Sequence, residues 1–345
     1  MTHAVPRLAV TLGDPAGIGP AIAARAIAAF MAGQGKATDT YPARLLAIGP
    51  LALLQAELAR ARLPLKLVPV TASAPWEDIP DGVLPVLDPA PKVALPEPGA
   101  PSAEGGQIAL AAVDAAIDLA VAGTVDGIVT APLSKEAVRL AGNPDFIGHT
   151  EHLASRCGHA PVRMMMTCPQ LTVVLVTTHL ALAEVPHRIT AEAVFDTLRM
   201  TDAALAMHMG IANPRIAVCG LNPHPGEFGR EDEMRVVPAI RKAQAAGLAV
   251  EGPLSADALF ARVVRDSSHD AVVAMYHDQG LTPLKLLGFE TAVNITLGLP
   301  FVRTSPDHGT AYDIAAGRKN DGVADPSSMV AALECAVRWT TRNRV

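Results

Sequence analysis

The chain has 345 residues, of which 50% are hydrophobic and 18% charged, and a net charge of −6 at pH 7. It is therefore neither disordered nor highly charged. The negative balance argues against a nucleic-acid groove, which needs a clustered positive face, and 3% aromatic residues are too few to stack single-stranded bases. No apolar run reaches the length that spans a bilayer, so we expect no membrane contact. The length predicts two domains.

The cysteines and the N-terminus indicate the compartment. The four cysteines are scattered without a CxxC pair, which is typical of free thiols in a reducing compartment. The first residues lack a basic region followed by an uninterrupted apolar core, so the sequence indicates no signal peptide. We therefore expect a cytoplasmic protein.

Short apolar runs of β type alternate with helical stretches along the chain. The predicted strands cover residues 7–12, 45–49, 65–70, 83–87, 126–130, 162–167, 171–177, 215–220 and 270–275. The predicted helices cover residues 20–31, 51–62, 102–123, 189–209, 230–246 and 256–265. Residues 162–177 are typical of a hairpin, and the remaining alternation predicts an α/β fold of mostly parallel sheets flanked by helices.

A glycine-rich turn, residues 13–20, joins the first strand to the first helix. A strand, a glycine turn and a helix in this order suggest a dinucleotide site, but the spacing does not fit G-x-G-x-x-G. A tight strand–helix turn is at least as good an interpretation as a phosphate cradle. Asp14 remains a functional candidate by its position alone.

The segment 276–313 collects residues with useful chemistry. It follows the apolar run 271–275 and contains His277, Lys285, Asn294 and Arg303, and it ends in a glycine-bearing stretch. Open α/β sheets bind their ligands just past the carboxyl ends of the strands. We expect a binding site here, the alternative being a solvated loop.

Three histidines share one sequence context. His179, His224 and His277 each follow an apolar β-type run, so their side chains could converge at one edge of a parallel sheet. Three nitrogen ligands with one open position are the arrangement of a catalytic zinc site, and manganese, cobalt or nickel would also fit. Lys285 and Arg303 would then hold a phosphate or carboxylate, and Asn294 could bridge to either group. These residue types do not choose between redox chemistry and hydrolysis.

The stretch 148–152 carries a further candidate. His149 and His152 are three residues apart and could share a helix face that binds a metal. His149 could instead contact the substrate. The alternative is a surface histidine beside Thr150 acting as a helix cap.

Six motifs together resemble the 4-hydroxythreonine-4-phosphate dehydrogenase family over nearly the full length. They are VTLGDPAGIGP at 10–20, APLSK at 131–135, GHTE at 148–151, NPHPGE at 222–227, YHDQG at 276–280 and DHGTAYD at 307–313. The resemblance implies oxidation of 4-phosphooxy-L-threonine by NAD or NADP. The product, 2-amino-3-oxo-4-phosphooxybutanoate, then decarboxylates to 3-amino-2-oxopropyl phosphate, a step of pyridoxal 5′-phosphate (vitamin B6) biosynthesis.

The resemblance also implies roles for individual residues. The divalent metal (zinc, magnesium, cobalt or manganese) would be bound by three histidines: His179, His224 and His277. The phosphorylated substrate would contact His149, Thr150, Lys285, Asn294 and Arg303. Lys285 and His277 would act in catalysis. The stretch 308–313 is similar to the adenosine-binding loop of isopropylmalate and isocitrate dehydrogenases, which implies cofactor contacts by His308, Gly309, Thr310 and Asp313.

The same resemblance implies an isopropylmalate-dehydrogenase-like fold of two domains. We expect one domain from residues 1–130 with 295–345, carrying the cofactor loop, and another from residues 131–294, carrying metal and substrate residues and dimer contacts. A homodimer is expected, with its active site at the interface and its metal ligands shared between the subunits. Two alternatives remain: a sister dehydrogenase acting on D-threonate or D-erythronate 4-phosphate or on a cyclic diol acid, and a metal-dependent phosphohydrolase. A non-catalytic binding protein is a third.

Overall fold

The computed structural model describes residues 5–33, 42–73 and 78–342. The strands in this part of the chain are β1 (Arg7–Thr11), β2 (Arg44–Ile48), β3 (Lys66–Val70), β4 (Val83–Leu87), β5 (Gly127–Thr130), β6 (Arg163–Cys168), β7 (Leu171–Leu175), β8 (Arg215–Cys219), β9 (Ala249–Leu254), β10 (Ala271–Ala274), β11 (Val293–Leu297) and β12 (Val302–Pro306).

The α-helices in the same ranges are α1 (Gly19–Met31), α2 (Leu51–Arg60), α3 (Ala103–Val121), α4 (Lys135–Leu140), α5 (His149–Arg156), α6 (Val185–Arg188), α7 (Ala191–Met209), α8 (Val237–Ala245), α9 (Ala256–Asp266), α10 (His277–Gly288), α11 (Tyr312–Ala315) and α12 (Ser327–Arg342). No helix in the described ranges combines the length and the apolar character that a bilayer crossing requires.

The chain divides into two compact units, Met1–Ala160 with Leu299–Val345 and Pro161–Gly298. In the first unit, strands run in the order β3-β4-β2-β1-β5-β12, and neighbouring strands are parallel. In the second unit, the order is β11-β6-β7-β10-β8-β9. There β7, β10, β8 and β9 are parallel, whereas β6 pairs antiparallel with β7 and β11. The predicted α/β class, mostly parallel pairing and hairpin are therefore confirmed.

Each unit has its own apolar core. In the first, Val113 and Ile117 of α3 cluster with Ala9, Leu46 and Ile128 from three neighbouring strands. The helix begins after Ser102, whose hydroxyl accepts the Gly105 N–H at 3.0 Å, as the sequence predicts for a helix cap. In the second, residues of α9 and α10 cluster with β7 and β10. Burial of each large aliphatic side chain contributes about 1.5–3 kcal/mol to the free energy of unfolding.

The unit boundaries differ from those that the sequence analysis placed at 130 and 295. Residues 131–160 lie in the first unit because α4 packs closely on α3 and because Asp114 of α3 hydrogen-bonds to His152 of α5 at 2.7 Å. Residues 295–298 lie in the second unit, since β11 pairs along its length with β6. Tertiary contacts, which short-range patterns do not encode, decide both boundaries.

Several elements were not predicted. They are β9, β11, β12, α10 and α12, and α10 begins at His277, where the sequence analysis left a solvated loop as the alternative. The last helix packs against β12, β5 and α1 of the first unit. The segment 276–313 is thus built largely on regular elements, α10, β11 and β12.

Gly106 offers a test of the α3–α4 packing. A Cβ at this position would lie 2.0 Å from the backbone oxygen of Ala137. Gly106→Ala should therefore lower the free energy of unfolding by about 1–3 kcal/mol, the usual effect of overpacking, although alanine is favoured over glycine in helices. Urea denaturation measures this. Replacement of the exposed neighbour, Gln107→Ala, is the control, and a stabilised Gly106→Ala variant would contradict the packing.

Candidate active site

Three neighbouring parallel strands of the second unit lead to the three histidines. The strand β10 lies between β7 and β8, and all three run in the same direction. His179, His277 and His224 follow the carboxyl ends of β7, β10 and β8 respectively. The sequence argument about strand ends therefore identified neighbouring strands correctly.

His179 and His277 lie side by side. Their ring centroids are 5.6 Å apart, with the ring planes 43° to each other. The Nδ1 atom of His277 is 2.6 Å from Oδ1 of Asp278. A carboxylate on one ring nitrogen fixes the tautomer and leaves the other nitrogen available to a cation. This pair suits two positions of a metal site.

His224 does not join them. It adopts a left-handed backbone conformation, φ 48°, in a turn that the Glu227 N–H closes onto the His224 oxygen at 2.9 Å. Its ring packs against Phe228, with centroids 6.3 Å apart. Across the described ranges, the chain holds no group of three histidine, cysteine, aspartate or glutamate side chains that could bind a metal. One chain therefore brings His179 and His277 together without His224, and the expectation that the three ligands are shared between subunits stays a prediction.

Buried polar contacts fix the strand ends that carry these histidines. Both oxygens of the buried Asp232 accept backbone N–H groups, from Leu221 at 2.7 Å and Asn222 at 3.1 Å. Gln279, in the first turn of α10, accepts the Met275 N–H and donates to the Gly220 oxygen, both at 2.7 Å. Hydrogen bonds therefore join the residues that follow β8 to those that follow β10. The chain is held in this way as far as Asn222, and His224 lies beyond the last of these contacts.

The two remaining predicted residues of this unit lie on different elements. Lys285 is on α10, two turns beyond His277. Asn294 is on β11, opposite Met166 of β6. Its Oδ1 atom is buried and has no hydrogen-bond partner among the described residues. Because a buried acceptor without a partner costs free energy, it marks a position where a ligand donor would fit.

In the first unit, Arg303 is a buried cation. It lies on β12, is 2% exposed, and donates from Nη2 to the Thr130 hydroxyl at 2.7 Å. Burial lowers the pKa of Arg303 to about 10, with the charge of Glu151 acting in the opposite direction. The guanidinium therefore stays charged at neutral pH. A buried charge of this kind is suited to an anionic ligand.

His149 lies at the start of α5, with Thr150 next in the first turn. Its Nε2 atom is buried and finds no partner in the described part of the chain. Burial, and then the charge of Arg303, holds the pKa of His149 well below its usual value, with His152 and Lys135 adding to the effect. The imidazole is therefore neutral. Its Nε2 and the open N–H groups of the helix start are together suited to a phosphate.

Lys135 and Glu151 complete the charges around this helix start. A Cβ built on Gly148 would lie 3.3 Å from Cε of Lys135 and 3.1 Å from a Glu151 carboxylate oxygen. Gly148 thus leaves room for both side chains at the N-terminus of α5. The Nε2 of His152 is 2.7 Å from Oδ1 of Asp114 and is therefore engaged, so the alternative of a His149–His152 metal pair is not supported.

The glycine turn 13–20 packs against the C-terminal stretch. The Ile18 N–H donates to the Thr310 oxygen at 2.9 Å, and a Cβ on Gly17 would lie 2.8 Å from the same oxygen. Protein backbone therefore fills the space where a phosphate cradle would lie at Gly17. The interpretation as a tight turn is favoured, in agreement with the failed glycine spacing.

The predicted cofactor residues lie in and just before α11. His308 places Nδ1 3.1 Å from the Gly309 oxygen, and its Nε2 is buried with no partner in the described ranges. Gly309 faces open space. Thr310 contacts the glycine turn, and Asp313 lies in α11. The backbone of this segment is thus held by a hydrogen bond to the glycine turn, and the space beside Gly309 is open to a ligand.

Comparison with known proteins identifies the family. The model of the pyridoxal phosphate biosynthetic protein PdxA matches residues 42–336. A 4-hydroxythreonine-4-phosphate dehydrogenase of Trichlorobacter lovleyi is 42% identical, over 96% of this chain and 97% of its own length. The chain belongs to the PdxA family.

Solved structures agree with this membership. The crystal structure of a 4-hydroxythreonine-4-phosphate dehydrogenase from Burkholderia phymatum has a TM-score of 0.78 and 38% identity, covering 97% of this chain and 98% of the other. A terephthalate 1,2-cis-dihydrodiol dehydrogenase from Burkholderia xenovorans LB400 has a TM-score of 0.65 and 29% identity, covering 97% and 98%. The PdxA family assignment predicted from the motifs is confirmed.

The fold expectation is also confirmed. A β-decarboxylating dehydrogenase from Thermococcus kodakarensis shares the fold, with a TM-score of 0.50 and 14% identity over 96% of this chain and 82% of the other. This distant likeness concerns the arrangement of strands and helices alone. It agrees with the dehydrogenase-like α/β fold that the stretch 308–313 implied.

Sequence reasoning did not single out some of the residues that lie around the start of α5. Lys135 and Glu151 lie within matched motifs, but nothing in the sequence places them on either side of Gly148. Lys135 follows the end of β5 at Thr130 and the turn into α4, and this position after a strand could have marked it as a candidate ligand-binding residue. The link between Tyr312 and Asp14, at 2.6 Å, joins positions 298 residues apart and has no local signal.

The neutral state of His149 makes stability depend on pH. Its pKa is well below 6.5 in the folded chain and near 6.5 when unfolded, so the unfolded chain binds the extra proton as pH falls below 6.5. Between pH 7.5 and 5.5 the wild type should lose about 1 kcal/mol more free energy of unfolding than His149→Asn. Urea denaturation at both pH values measures the difference.

Replacement of the exposed His187 by asparagine is the matched control. It should leave the pH dependence of the wild type intact. Equal losses in the wild type and in His149→Asn would mean that His149 is not held neutral by its surroundings.

Proposed function

We propose that this protein is a 4-hydroxythreonine-4-phosphate dehydrogenase that works with NAD or NADP. It oxidises the secondary alcohol of 4-phosphooxy-L-threonine to 2-amino-3-oxo-4-phosphooxybutanoate, which loses carbon dioxide to give 3-amino-2-oxopropyl phosphate for pyridoxal 5′-phosphate biosynthesis. The observation that carries the proposal is a buried, charged Arg303 with a neutral His149 at a helix start, in a chain of the PdxA family.

The phosphate end of the substrate is recognised in the first unit. Arg303 supplies a charge and a planar set of donors for phosphate oxygens, which makes strong, directional hydrogen bonds. Neutral His149 donates from Nε2, and Thr150 contributes the first turn of α5. These donors bind and orient the substrate, and the burial of Arg303 excludes water from its guanidinium.

Lys285 and Asn294 act on the remaining polar groups of the substrate. The buried Oδ1 of Asn294 accepts a donor such as the amino or hydroxyl group. Lys285 contacts the anionic substrate and accepts or relays the proton that leaves the alcohol oxygen as the hydride leaves its carbon. His277 and Lys285 share α10, so one helix carries both proposed catalytic side chains.

The cofactor occupies the 308–313 segment. His308, Gly309, Thr310 and Asp313 bind its adenosine part. The buried, unpartnered Nε2 of His308 and the open face of Gly309 support this assignment within the described part of the chain. The chemistry that NAD or NADP supplies is acceptance of the hydride from the alcohol carbon.

A divalent metal (zinc, magnesium, cobalt or manganese) binds at the histidine pair. His179 and His277 would hold it, and Asp278 orients the His277 ring. His224 remains a predicted third ligand, which this chain does not bring to the pair by itself. A bound divalent ion supplies Lewis-acid polarisation of the alcohol oxygen, which favours loss of its proton.

The protein acts as a homodimer in the cytoplasm, with its active site at the interface. Large apolar side chains on the second unit support an oligomer: Leu182, Phe228, Met234, Leu286 and Phe289 are 55% to 86% exposed. A dimer interface would remove such side chains from water. Phe228, which is one of them, also contacts the ring of His224, the histidine that lies away from the metal pair.

A second candidate function is oxidation of a cyclic diol acid. The 29% identity with the terephthalate dihydrodiol dehydrogenase favours it over hydrolysis of a phosphate ester, although the identity with phosphate-substrate relatives is higher. The buried cation Arg303 fits both candidate substrates, because a guanidinium binds a carboxylate as well as a phosphate. The D-threonate and D-erythronate 4-phosphates remain related substrates to test.

A steady-state assay tests the proposed function. The purified protein should reduce NAD or NADP with 4-phosphooxy-L-threonine, followed by absorbance of the reduced nicotinamide. The same assay with D-threonate 4-phosphate, D-erythronate 4-phosphate and a dihydrodiol acid ranks these substrates by kcat/KM. Phosphate release without nicotinamide reduction would instead indicate a hydrolase.

Arg303→Ala should weaken substrate binding far more than cofactor binding. Loss of a charge-assisted contact with the phosphate costs about 1.5–3 kcal/mol, which raises KM for the substrate roughly tenfold to a hundredfold. The KM for the cofactor should change little. Arg60→Ala on α2, which removes an exposed ion pair with Glu57, is the matched control. An equal rise in both KM values would contradict the assignment.

His277→Ala should abolish metal-dependent oxidation while the fold persists. The side chain lies at a strand end outside the core, so its removal should leave the unfolding temperature nearly unchanged. Chelation followed by addition of each divalent metal should restore the wild type but not the variant. Asp278→Asn, which weakens only the contact to Nδ1, should lower metal affinity about tenfold to a hundredfold. Full activity in chelated wild-type protein would contradict a metal requirement.

A further inference from the structure

Asp14 is a buried carboxylate to which the proposed reaction assigns no role. It lies in the turn between β1 and α1 and is 0% exposed. One oxygen accepts the Ala16 N–H at 2.9 Å, and the other accepts the Tyr312 hydroxyl at 2.6 Å. A buried carboxylate costs free energy unless it is hydrogen-bonded. The two donors therefore stabilise Asp14 in its buried position.

Two hydrogen bonds anchor the segment 308–313 on the glycine turn in the described part of the chain. The Tyr312 hydroxyl, which also interacts with Ser134 and Thr310, makes one of them to Asp14. In the other, the Thr310 oxygen accepts the Ile18 N–H at 2.9 Å. Both anchors come from the same glycine turn, residues 13–20. They act on residues 310 and 312, immediately on either side of Ala311.

Ala311 has a backbone conformation that alanine rarely adopts. Its φ of 42° and ψ of 58° are left-handed, which costs a residue with a Cβ roughly 1–2 kcal/mol. Such a conformation persists only when its surroundings impose it. The anchors at Thr310 and Tyr312 are the contacts that impose it here, and α11 begins directly after it.

The far side of α11 is held separately. Arg318 donates from Nη2 to the Gly99 oxygen at 2.8 Å, and the Gly99 N–H donates to the Ala16 oxygen at 2.8 Å. Loss of the Tyr312 anchor would therefore change the start of α11 while its end stays attached. The effect should be local to the predicted cofactor residues.

We propose that Asp14 is a positioning residue for cofactor binding, which acts through Tyr312 to hold residues 308–313 in the shape that receives NAD or NADP. This inference rests on the proposed function, since it takes the segment to be the cofactor site. Burial raises the pKa of Asp14, and the hydrogen bonds from Tyr312 and Ala16 oppose that rise. The same two hydrogen bonds therefore favour the charged form that binds the tyrosine most strongly.

Tyr312→Phe removes only the hydroxyl and is the primary test. We expect about a tenfold weaker affinity for NADH or NADPH, measured by fluorescence titration of the full chain, with a substrate KM changed less than twofold. Hydrogen exchange of the apo protein should rise over residues 308–315 and stay unchanged in α12. Thr341→Val, which deletes another hydroxyl of the first unit, is the control and should change neither quantity.

Two further variants separate positioning from a general loss of stability. Asp14→Asn leaves one acceptor oxygen where the carboxylate has two, so it should weaken cofactor binding in the same direction as Tyr312→Phe. Ala311→Gly removes the cost of the left-handed conformation. Added to Tyr312→Phe, it should recover at least half of the lost affinity on a logarithmic scale, which a merely destabilised protein would not do.

The outcomes distinguish this inference from the function on which it rests. Wild-type protein that binds neither NADH nor NADPH would contradict the proposed function and the positioning role together. Normal cofactor affinity in Tyr312→Phe, with a wild type that binds, would overturn the positioning role alone. Weaker binding without recovery by Ala311→Gly would overturn the account in which the anchors impose the shape of Ala311.

Discussion

Parallel strand pairing is the constraint from which the sites follow. Parallel neighbours need a crossover between them, so all the strands of a parallel run deliver their following residues to one edge. In the second unit this brings the residues after β7, β10 and β8 to one edge and allows His179 and His277 to meet. In the first unit, β5 and β12 are parallel neighbours, which sets Thr130 within reach of Arg303.

Burial and the charge of Arg303 together set the state of His149. Burial of the imidazole makes its protonation unfavourable, and the neighbouring Arg303 guanidinium acts in the same direction. The pKa of His149 therefore lies well below its usual value, and the side chain is neutral. The arrangement presents a fixed charge together with a neutral donor, which suits a doubly charged phosphate without an excess of uncompensated positive charge in the empty site.

Sequence reasoning succeeded where the signal was local and failed where it was tertiary. The apolar runs before His179, His224 and His277 correctly predicted three strand ends, because a short continuous apolar run is typical of a buried parallel strand. The orientation of His224 was not predictable, since it depends on a left-handed turn and on packing against Phe228. The compact units divide at residue 160 and not near the predicted residue 130, because the packing of α4 and α5 on α3 is a long-range property. The motifs identified the family, since they sample the whole chain at once.

The first unit is assembled from both ends of the chain, and this has a consequence for synthesis on the ribosome. The strand β5 pairs with β12, and α12 packs against both β5 and α1. From Thr130 to Arg342 the ribosome must add 342 − 130 = 212 residues. At about 5–20 residues per second this takes roughly 10–40 seconds. Throughout that interval, one edge of β5 and the face of α1 that contacts α12 lack their final partners, and an unpaired strand edge is open to pairing with other chains.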